Sequence, residues 1–534
     1  MTAVMMLSLF ATSSWAQITN VSCSKNDCSI YGRTDITVSL NGKWTNPFRQ
    51  EEARLDAIVI TPSGKTMQVP GFYVSGDAGS ESTWSVRFTP KEAGRHQCVV
   101  RYEEPGMESM SQPVYIDVAG TKAGHGMLHT NDMWTLRHDD GTLFRGIGEN
   151  ICWESRDVDD SRFFKQLHEQ HERFNYPVMI PKFAGNGGNF IRIWMCSWNF
   201  PIDRKADFNN SRYQPATMPM NESAAKRLDE TVELCERERV SVMLCMGAGE
   251  AETDAAFFTD TKAKAEYRNR LRYIVARWGY STAIAMWEFF NEIDNIQFKD
   301  NDNPIPAKDI VGWHADMSRY LKNIDPYGHI VTTSISHRDL DGLNDVADID
   351  INQKHIYRNT SDIPQTLAAY TTKHGKPYIV GEFGYEWDWS KNFNDFADGM
   401  DADFRRGLWY GLFCPTPVTP MSWWWEYFDE RKMERYFRAP AMVSRMMIDE
   451  GKGQFASVEA KAGNGHAYAV RCGGKTFVYV FNPAKAAITS VTVSAKGKMS
   501  ELNINSLKWS KPSACNGTIK TRIKPNSERL FVIE

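Results

Sequence analysis

No Cys-x-x-Cys pair occurs in the 534 residues, although the chain has 10 cysteines. A zinc ribbon or a thioredoxin-type redox site is therefore not expected. Beyond the first segment no run of 18 or more apolar residues occurs, so no transmembrane helix is expected. Basic residues are in no excess: 62 Lys and Arg face 66 Asp and Glu, a net charge of −4. That gives no polyanion footprint and argues against a nucleic-acid partner. No Gly-x-Gly-x-x-Gly follows the first strand of the central region, which weakens a dinucleotide site. No Gly-x-Ser-x-Gly is present, which weakens a serine nucleophile. His125, His129, His138, His168 and His171 show no ligand spacing, so neither a metal nor another cofactor is expected.

What the chain does have is tryptophan, 17 in all. Indole faces supply large apolar area and stack on the apolar faces of sugar rings. Part of this set is expected to be core.

Residues 1–16, MTAVMMLSLFATSSWA, are apolar and uncharged. Ser14 and Ala16 stand three and one residues before Gln17, the spacing that signal peptidase reads. A cleaved export signal is expected, although a basic n-region is missing. No cysteine follows the cut, so no lipid anchor is expected and the location is periplasmic or secreted. Cys23 and Cys28 are close enough in sequence for a local disulfide. The cysteines between 152 and 414 sit in apolar runs and read as buried thiols.

Residues 17–120 read as short alternating strands separated by turns, a small antiparallel β-sandwich. From 121 to 447 the pattern changes. Strand candidates at 143–151, 189–196, 240–247, 283–292, 329–335, 348–357, 377–383 and 418–425 alternate with helical stretches such as 223–239 and 263–279. Eight such units predict a (β/α)8 TIM barrel, with an open doubly wound sheet as the alternative. Residues 448–534 return to short strands, a second antiparallel sandwich flanking the barrel.

In a barrel of this kind the C-terminal strand ends build the active site. The fourth strand runs WEFFNEID and ends on Asn291-Glu292. The seventh ends Gly381-Glu382-Phe383-Gly384. Two carboxylates from separated strands face each other across the barrel mouth. A retaining glycosidase needs such a pair, one as proton donor and later base, the other as nucleophile. The donor must keep its proton, which apolar walls favour. The nucleophile must stay ionised, and Arg192 and Tyr357 are candidate donors to it. Strict alternation would put Asn291 and Glu292 on opposite faces. Regular pairing is therefore predicted to break at 290–292.

With these residues the chain resembles a retaining glycoside hydrolase of clan A, the barrel clan that includes the family-five cellulases and mannanases. The resemblance rests on Asn291-Glu292 at strand four and Glu382 in YIVGEFG at strand seven. Arg192 in FIRIW, His355 and Tyr357 in KHIY, and a strand-eight tryptophan, Trp425 or Trp423, complete it. It implies Glu292 as acid/base and Glu382 as nucleophile. It implies that Asn291 binds the sugar 2-hydroxyl, that Arg192 orients the nucleophile, and that the tryptophan floors the sugar site next to the cleaved bond. His355 and Tyr357 are implied substrate-site residues. The stretch TWSVRFTPKEAGRHQCVVRY resembles an N-terminal sandwich attached to bacterial polysaccharide-degrading enzymes of this clan. Strand three departs from the pattern: it ends MGAGE where many relatives place a histidine.

Trp153 and Trp198 are further candidates to line a sugar cleft, with Trp387 a third. Glu149, Asn150 and Trp153 close strand one, either touching substrate or packing. Glu386 and Glu426 read as loop charges. The function expected is a retaining β-glycoside hydrolase acting on a poly- or oligosaccharide. The alternative is a non-catalytic carbohydrate-binding protein on the same scaffold.

Overall fold

The computed structural model describes residues 17–24, 27–248 and 253–534. The leader expected over 1–16 lies outside them, as do the last two residues of the strand-three ending MGAGE. The chain divides into two compact units.

The first unit holds the residues up to Gly124 together with Glu266–Tyr280. One sheet orders strands Gln17–Cys23, Thr34–Asn41, Glu81–Phe88 and Phe72–Gly76. The other orders Asp27–Ile30, Val114–Lys122, Gly94–Glu104, Arg54–Ile60 and Thr66–Pro70. Period-two patterning places Ile36, Val38 and Leu40 at 0% exposure, because alternate side chains of a strand share a face. The expected all-antiparallel pairing needs one correction: Asp27–Ile30 runs parallel to Val114–Lys122. Cys23 and Cys28 are not joined in a disulfide. The helical segment of this unit is tied to its strands. Arg272 donates to Leu55 O at 2.8 Å and to Asp56 Oδ1 at 2.7 Å, and Tyr273 meets Phe48 edge-on at 5.5 Å.

The second unit, His125–Ala265 and Ser281–Glu534, opens with the antiparallel strands Leu128–Thr130, Leu136–His138 and Leu143–Phe144 and continues into a parallel ladder. Its strands are β1 (Gly148–Asn150), β2 (Phe190–Trp194), β3 (Ser241–Cys245), β4 (Ile284–Glu288), β5 (Ile330–Thr332, continued by Ser334–Ile335), β6 (Asn352–Tyr357) and β7 (Tyr378–Gly384). Neighbours pair in parallel in that order. The 418–422 segment bridges to Gly146 and Glu149 on one side and to Phe383 on the other. The ladder is thus a closed ring of eight parallel segments. Intervening helices include Glu222–Glu238, Ala307–Ile324, Ile363–His374 and Ala397–Tyr410. Asn221 opens the first of these by accepting from Ser223 N and Ala224 N, which satisfies two otherwise orphan donors.

Alternation along the strands decides what the ring encloses. Phe190, Met286, Ile330, Ile351 and Ile379 meet in one buried cluster at the N-terminal end. Two residues further along β2, β4 and β6, the same face carries Arg192, Glu288 and Gln353. The interior therefore changes from apolar to charged within one pleat.

On β7, alternation from Ile379 would turn Glu382 outward. The register slips here: Lys354 faces Val380, but the next residue, His355, faces Glu382. The skipped Gly381 is a bulge that returns Glu382 to the inside. A Cβ on Gly381 would lie 1.6 Å from Gln353 Oε1, so any other residue there would displace the Gln353 amide that donates to Glu288.

From Phe455 onward the chain forms one continuous antiparallel sheet, not two separate ones. The 16-residue strand Ile488–Asn503 belongs to both of its leaves, pairing with Ser513–Ile523 and with Ser527–Ile533. Val478, Val491, Ile519 and Phe531 lie in its core. Among the described residues no helix is long and apolar enough to cross a membrane.

Candidate active site

β4 ends at Glu288, and Glu292 adopts a left-handed conformation, φ 49°, before the short helix Ile293–Gln297. Such a backbone costs a non-glycine residue roughly 1–3 kcal/mol and persists only where the surroundings impose it. Here Glu292 N donates to Ser334 Oγ at 2.9 Å. The break in regular pairing lets both Asn291 and Glu292 turn toward the ring axis.

Arg192 is the hub, and it is 0% exposed. Its Nε and NH2 grip Glu288 in a bidentate pair at 2.6 and 2.8 Å. Its NH1 donates to Glu382 Oε1 at 2.6 Å, and its NH2 also reaches Asn291 Oδ1 at 2.9 Å. Arginine only donates, so the Asn291 oxygen is fixed toward it and the Asn291 NH2 is left for another acceptor. Gln353 Nε2 donates to Glu288 Oε1 at 3.1 Å. Tyr357 OH donates to the second oxygen of Glu382 at 2.7 Å. His355 Nδ1 lies 2.9 Å from Glu292 Oε1 and 3.4 Å from Glu382 Oε2. Asn295 donates to Glu292 Oε2 at 2.8 Å.

The two glutamates differ in what holds them. Burial pushes the Glu292 carboxyl up to about 7; Asp294 adds to this, and Arg192 and Asn295 oppose it. Burial also raises Glu382, but the Arg192 guanidinium pulls it back and the Tyr357 hydrogen bond helps. Only Glu382 receives a direct guanidinium hydrogen bond, so it is the carboxylate that ionises first. Burial lowers the His355 imidazole to about 4, leaving it neutral. One donor atom each of Glu292, His355 and Glu382 lie within 4.8 Å of one another. Such a trio could ligate a cation, but both Glu382 oxygens already accept protein donors.

The tryptophans arrange themselves around this centre. Trp194 stacks beneath the Arg192 guanidinium at 5.4 Å. Trp153 meets Trp194, Trp198, Trp423 and Trp425 at 4.8–5.6 Å. Trp424, at φ 70°, ends the last ring segment, and Trp425 starts a helix. Trp425 is consequently 4% exposed, in a small recess with Glu149 and Phe183. Of the two strand-eight candidates, Trp423 is the less buried and stands beside Trp194. Trp153 is 8% exposed and Trp198 half-buried.

Alternation turns Glu149 outward into that recess, whereas Asn150 points inward and donates to Gly381 O at 2.9 Å. Glu386 is a loop charge, but a buried one paired with Arg358 and Lys391, whereas Glu426 lies in the helix Trp425–Glu430 and is buried. A separate recess of about 620 Å³, lined by Arg145, Ile147, Asn189 and Arg438, opens at the N-terminal ends of β1 and β2 and holds none of these groups.

Sequence reasoning missed Glu288, Gln353, Ser334 and Trp194. Period two from Arg192 and from Met286 would have found Trp194 and Glu288. Glu288 bears directly on stability. Glu288→Gln leaves a buried guanidinium with one carboxylate, and removing one partner of a buried pair costs about 3–5 kcal/mol. The low end, about 3 kcal/mol, is expected in urea unfolding because Glu382 remains. A loss below about 1 kcal/mol would show that the pair does not hold Arg192.

Residues 27–103 match the family model described as "Domain of unknown function (DUF5060)". The Aspergillus aculeatus protein named mannan endo-1,4-beta-mannosidase A is 27% identical over 144 residues, 27% of this chain and 34% of that protein. The Emericella nidulans protein named probable mannan endo-1,4-beta-mannosidase F is 22% identical over 269 residues, 47% of this chain and 56% of that protein. The chain thus spans between a third and about half the length of these two curated relatives. A solved Bacteroides vulgatus structure, assigned as a glycoside hydrolase, superposes with a TM-score of 0.65 at 15% identity, over 96% of this chain and 100% of that one. The chain is thus similar over part of its length to proteins named mannan endo-1,4-beta-mannosidases, matches the DUF5060 model over residues 27–103, and shares its fold with the Bacteroides vulgatus structure.

Proposed function

We propose that the protein is a retaining β-glycoside hydrolase that cleaves β-1,4-linked mannan, built as a (β/α)8 barrel flanked by N- and C-terminal β-domains. The observation that carries the mechanism is the separation of the two carboxyl groups. Oxygens of Glu292 and Glu382 approach within 4.8 Å. Retaining enzymes hold their carboxyls roughly 5–5.5 Å apart, while inverting ones need roughly 6.5–9.5 Å to admit a water. The names of the curated relatives supply the substrate.

In this reading Glu382, aimed and kept ionised by Arg192 and Tyr357, attacks the anomeric carbon. Glu292 gives its proton to the departing glycosidic oxygen. Glu292 then takes a proton from water, the water displaces Glu382 from the sugar, and both groups return to their starting states. Asn291 offers its free NH2 to the sugar 2-hydroxyl. Trp423 and Trp194 supply the apolar floor.

The test is cleavage of β-1,4-mannan, β-1,4-glucan, β-1,4-xylan and β-1,3-glucan, followed by reducing-end release and NMR of the first-formed anomer. Mannan cleavage giving β-anomer first is expected. Cleavage of another glycan alone would move the substrate, and α-anomer first would refute retention.

The pH profile has a definite sign. Turnover needs Glu382 charged and Glu292 protonated. Because burial holds Glu292 at about 7, kcat/KM is expected to fall about tenfold per unit above pH 7. A profile flat to pH 9 would show that Glu292 is not the proton donor.

A further inference from the structure

Exposed large apolar side chains are few in the described residues, and three of them fall in one five-residue stretch. Tyr385 is 40% exposed, Trp387 54% and Trp389 46%, and these two are the only tryptophans so exposed among the described residues. Between them Glu386 is buried and Asp388 half-buried. The stretch therefore presents its aromatics on one side and anchors itself with the other.

The anchor is strong. Glu386 accepts from Arg358 at 2.9 and 2.6 Å, from Lys391 at 2.6 Å, and from the backbone N–H groups of Trp387 and Asp388 at 3.0 and 3.2 Å. Its own backbone oxygen accepts from Trp424 Nε1 at 2.7 Å. The Arg358 guanidinium also lies over the Trp387 ring at 5.3 Å. One indole face is thus backed by a cation and the other is left open. Leaving an indole in water forgoes its burial, so a braced segment that displays two points to a ligand.

Continuity decides which ligand. Trp387 is five residues beyond Glu382 on the same strand end, so it stands at most about 18 Å from the nucleophile. Arg358 directly follows Tyr357, which holds that nucleophile. We propose that Trp387, with Trp389, is a distal sugar-binding platform that stacks on a pyranose ring of the glycan chain whose cleaved bond lies between Glu292 and Glu382. This rests on the glycosidase reading above. Trp387 acts only on chains long enough to reach it.

The test compares kcat/KM of the wild type and Trp387→Ala on β-1,4-mannohexaose and on an aryl β-mannoside. Losing one aromatic stacking contact weakens binding by about 2- to 13-fold. About a tenfold loss on the hexaose is expected, with less than twofold on the aryl mannoside and most activity restored by Trp387→Phe. Equal losses on both substrates, or none on either, would overturn the platform.

Native gels cast with soluble β-mannan, β-glucan or xylan read the platform without turnover. A glycan that retards the wild type and not Trp387→Ala supports it, even where mannan is not the substrate. Equal retardation of both chains by every glycan, or retardation of neither, overturns it. Failure of the wild type to cleave mannan counts against the mannanase reading alone.

Discussion

Glu382→Ala is expected to lose mannan cleavage by on the order of 10⁴-fold or more, the scale seen when a covalent nucleophile is removed. Among the described residues Glu382 is the one side chain that Arg192 and Tyr357 both donate to, from 2.6 and 2.7 Å. Alanine leaves that pair of donors around a small space open to an external anion. Azide should therefore restore turnover of an aryl mannoside and give the α-azide, because it attacks once from the face that Glu382 occupied. The fold should survive, since Arg192 keeps its bidentate pair with Glu288. Undiminished cleavage by the variant would mean that the site is elsewhere. Rescue giving the β-azide would exchange the roles of the two glutamates.

Glu292→Ala carries the second large effect, and its signature is different. A general acid contributes about 10²–10⁴-fold, and only where the leaving group needs a proton. Cleavage of mannan should fall by that factor. Formation of the glycosyl-enzyme from an aryl mannoside with a good leaving group should barely change, so its later hydrolysis becomes limiting and a burst appears. Azide should again accelerate turnover, but the product is the β-azide, formed by attack on the intermediate. An equal loss on mannan and on the activated substrate, with no burst, would show that Glu292 positions substrate and does not move protons. Removing Glu292 also frees His355 Nδ1 from its 2.9 Å contact, leaving Glu382 as the remaining carboxylate partner of the imidazole.

The parts legible in the sequence were those whose residue types are hard to explain otherwise. Asn291-Glu292 closing an aromatic run, and Glu382 between glycines, announced polar groups at strand ends. Arg192, His355 and Tyr357 stood on the matching pleats of two other strands. Glu288 escaped notice because WEFF looks like core, and its carboxylate is indeed buried; only the partner from β2 explains it. Trp425 and Trp423 are alternatives in the sequence because nothing local reveals that Trp424 turns left-handed and ends the segment. The inward aim of Glu382 depends on a bulge at Gly381, and a glycine before a glutamate does not by itself say which face follows. The parallel pairing of Asp27–Ile30 was out of reach for another reason: a four-residue edge strand finds its partner through tertiary contacts, not through its own pattern. Glu386 read as a loop charge and not a buried one because its five donors come from Arg358, Lys391 and its own loop backbone, none of which period or spacing links to it.

The most direct test of the account is to trap the sugar on the enzyme. A 2-deoxy-2-fluoro-β-mannoside with an activated leaving group should form its glycosyl-enzyme faster than that species hydrolyses. Mass spectrometry of the intact chain should then show the addition of one fluorosugar, and peptide mapping should place it on Glu382. An adduct on any other residue, or steady turnover with no adduct and α-anomer as the first product, would contradict the double displacement.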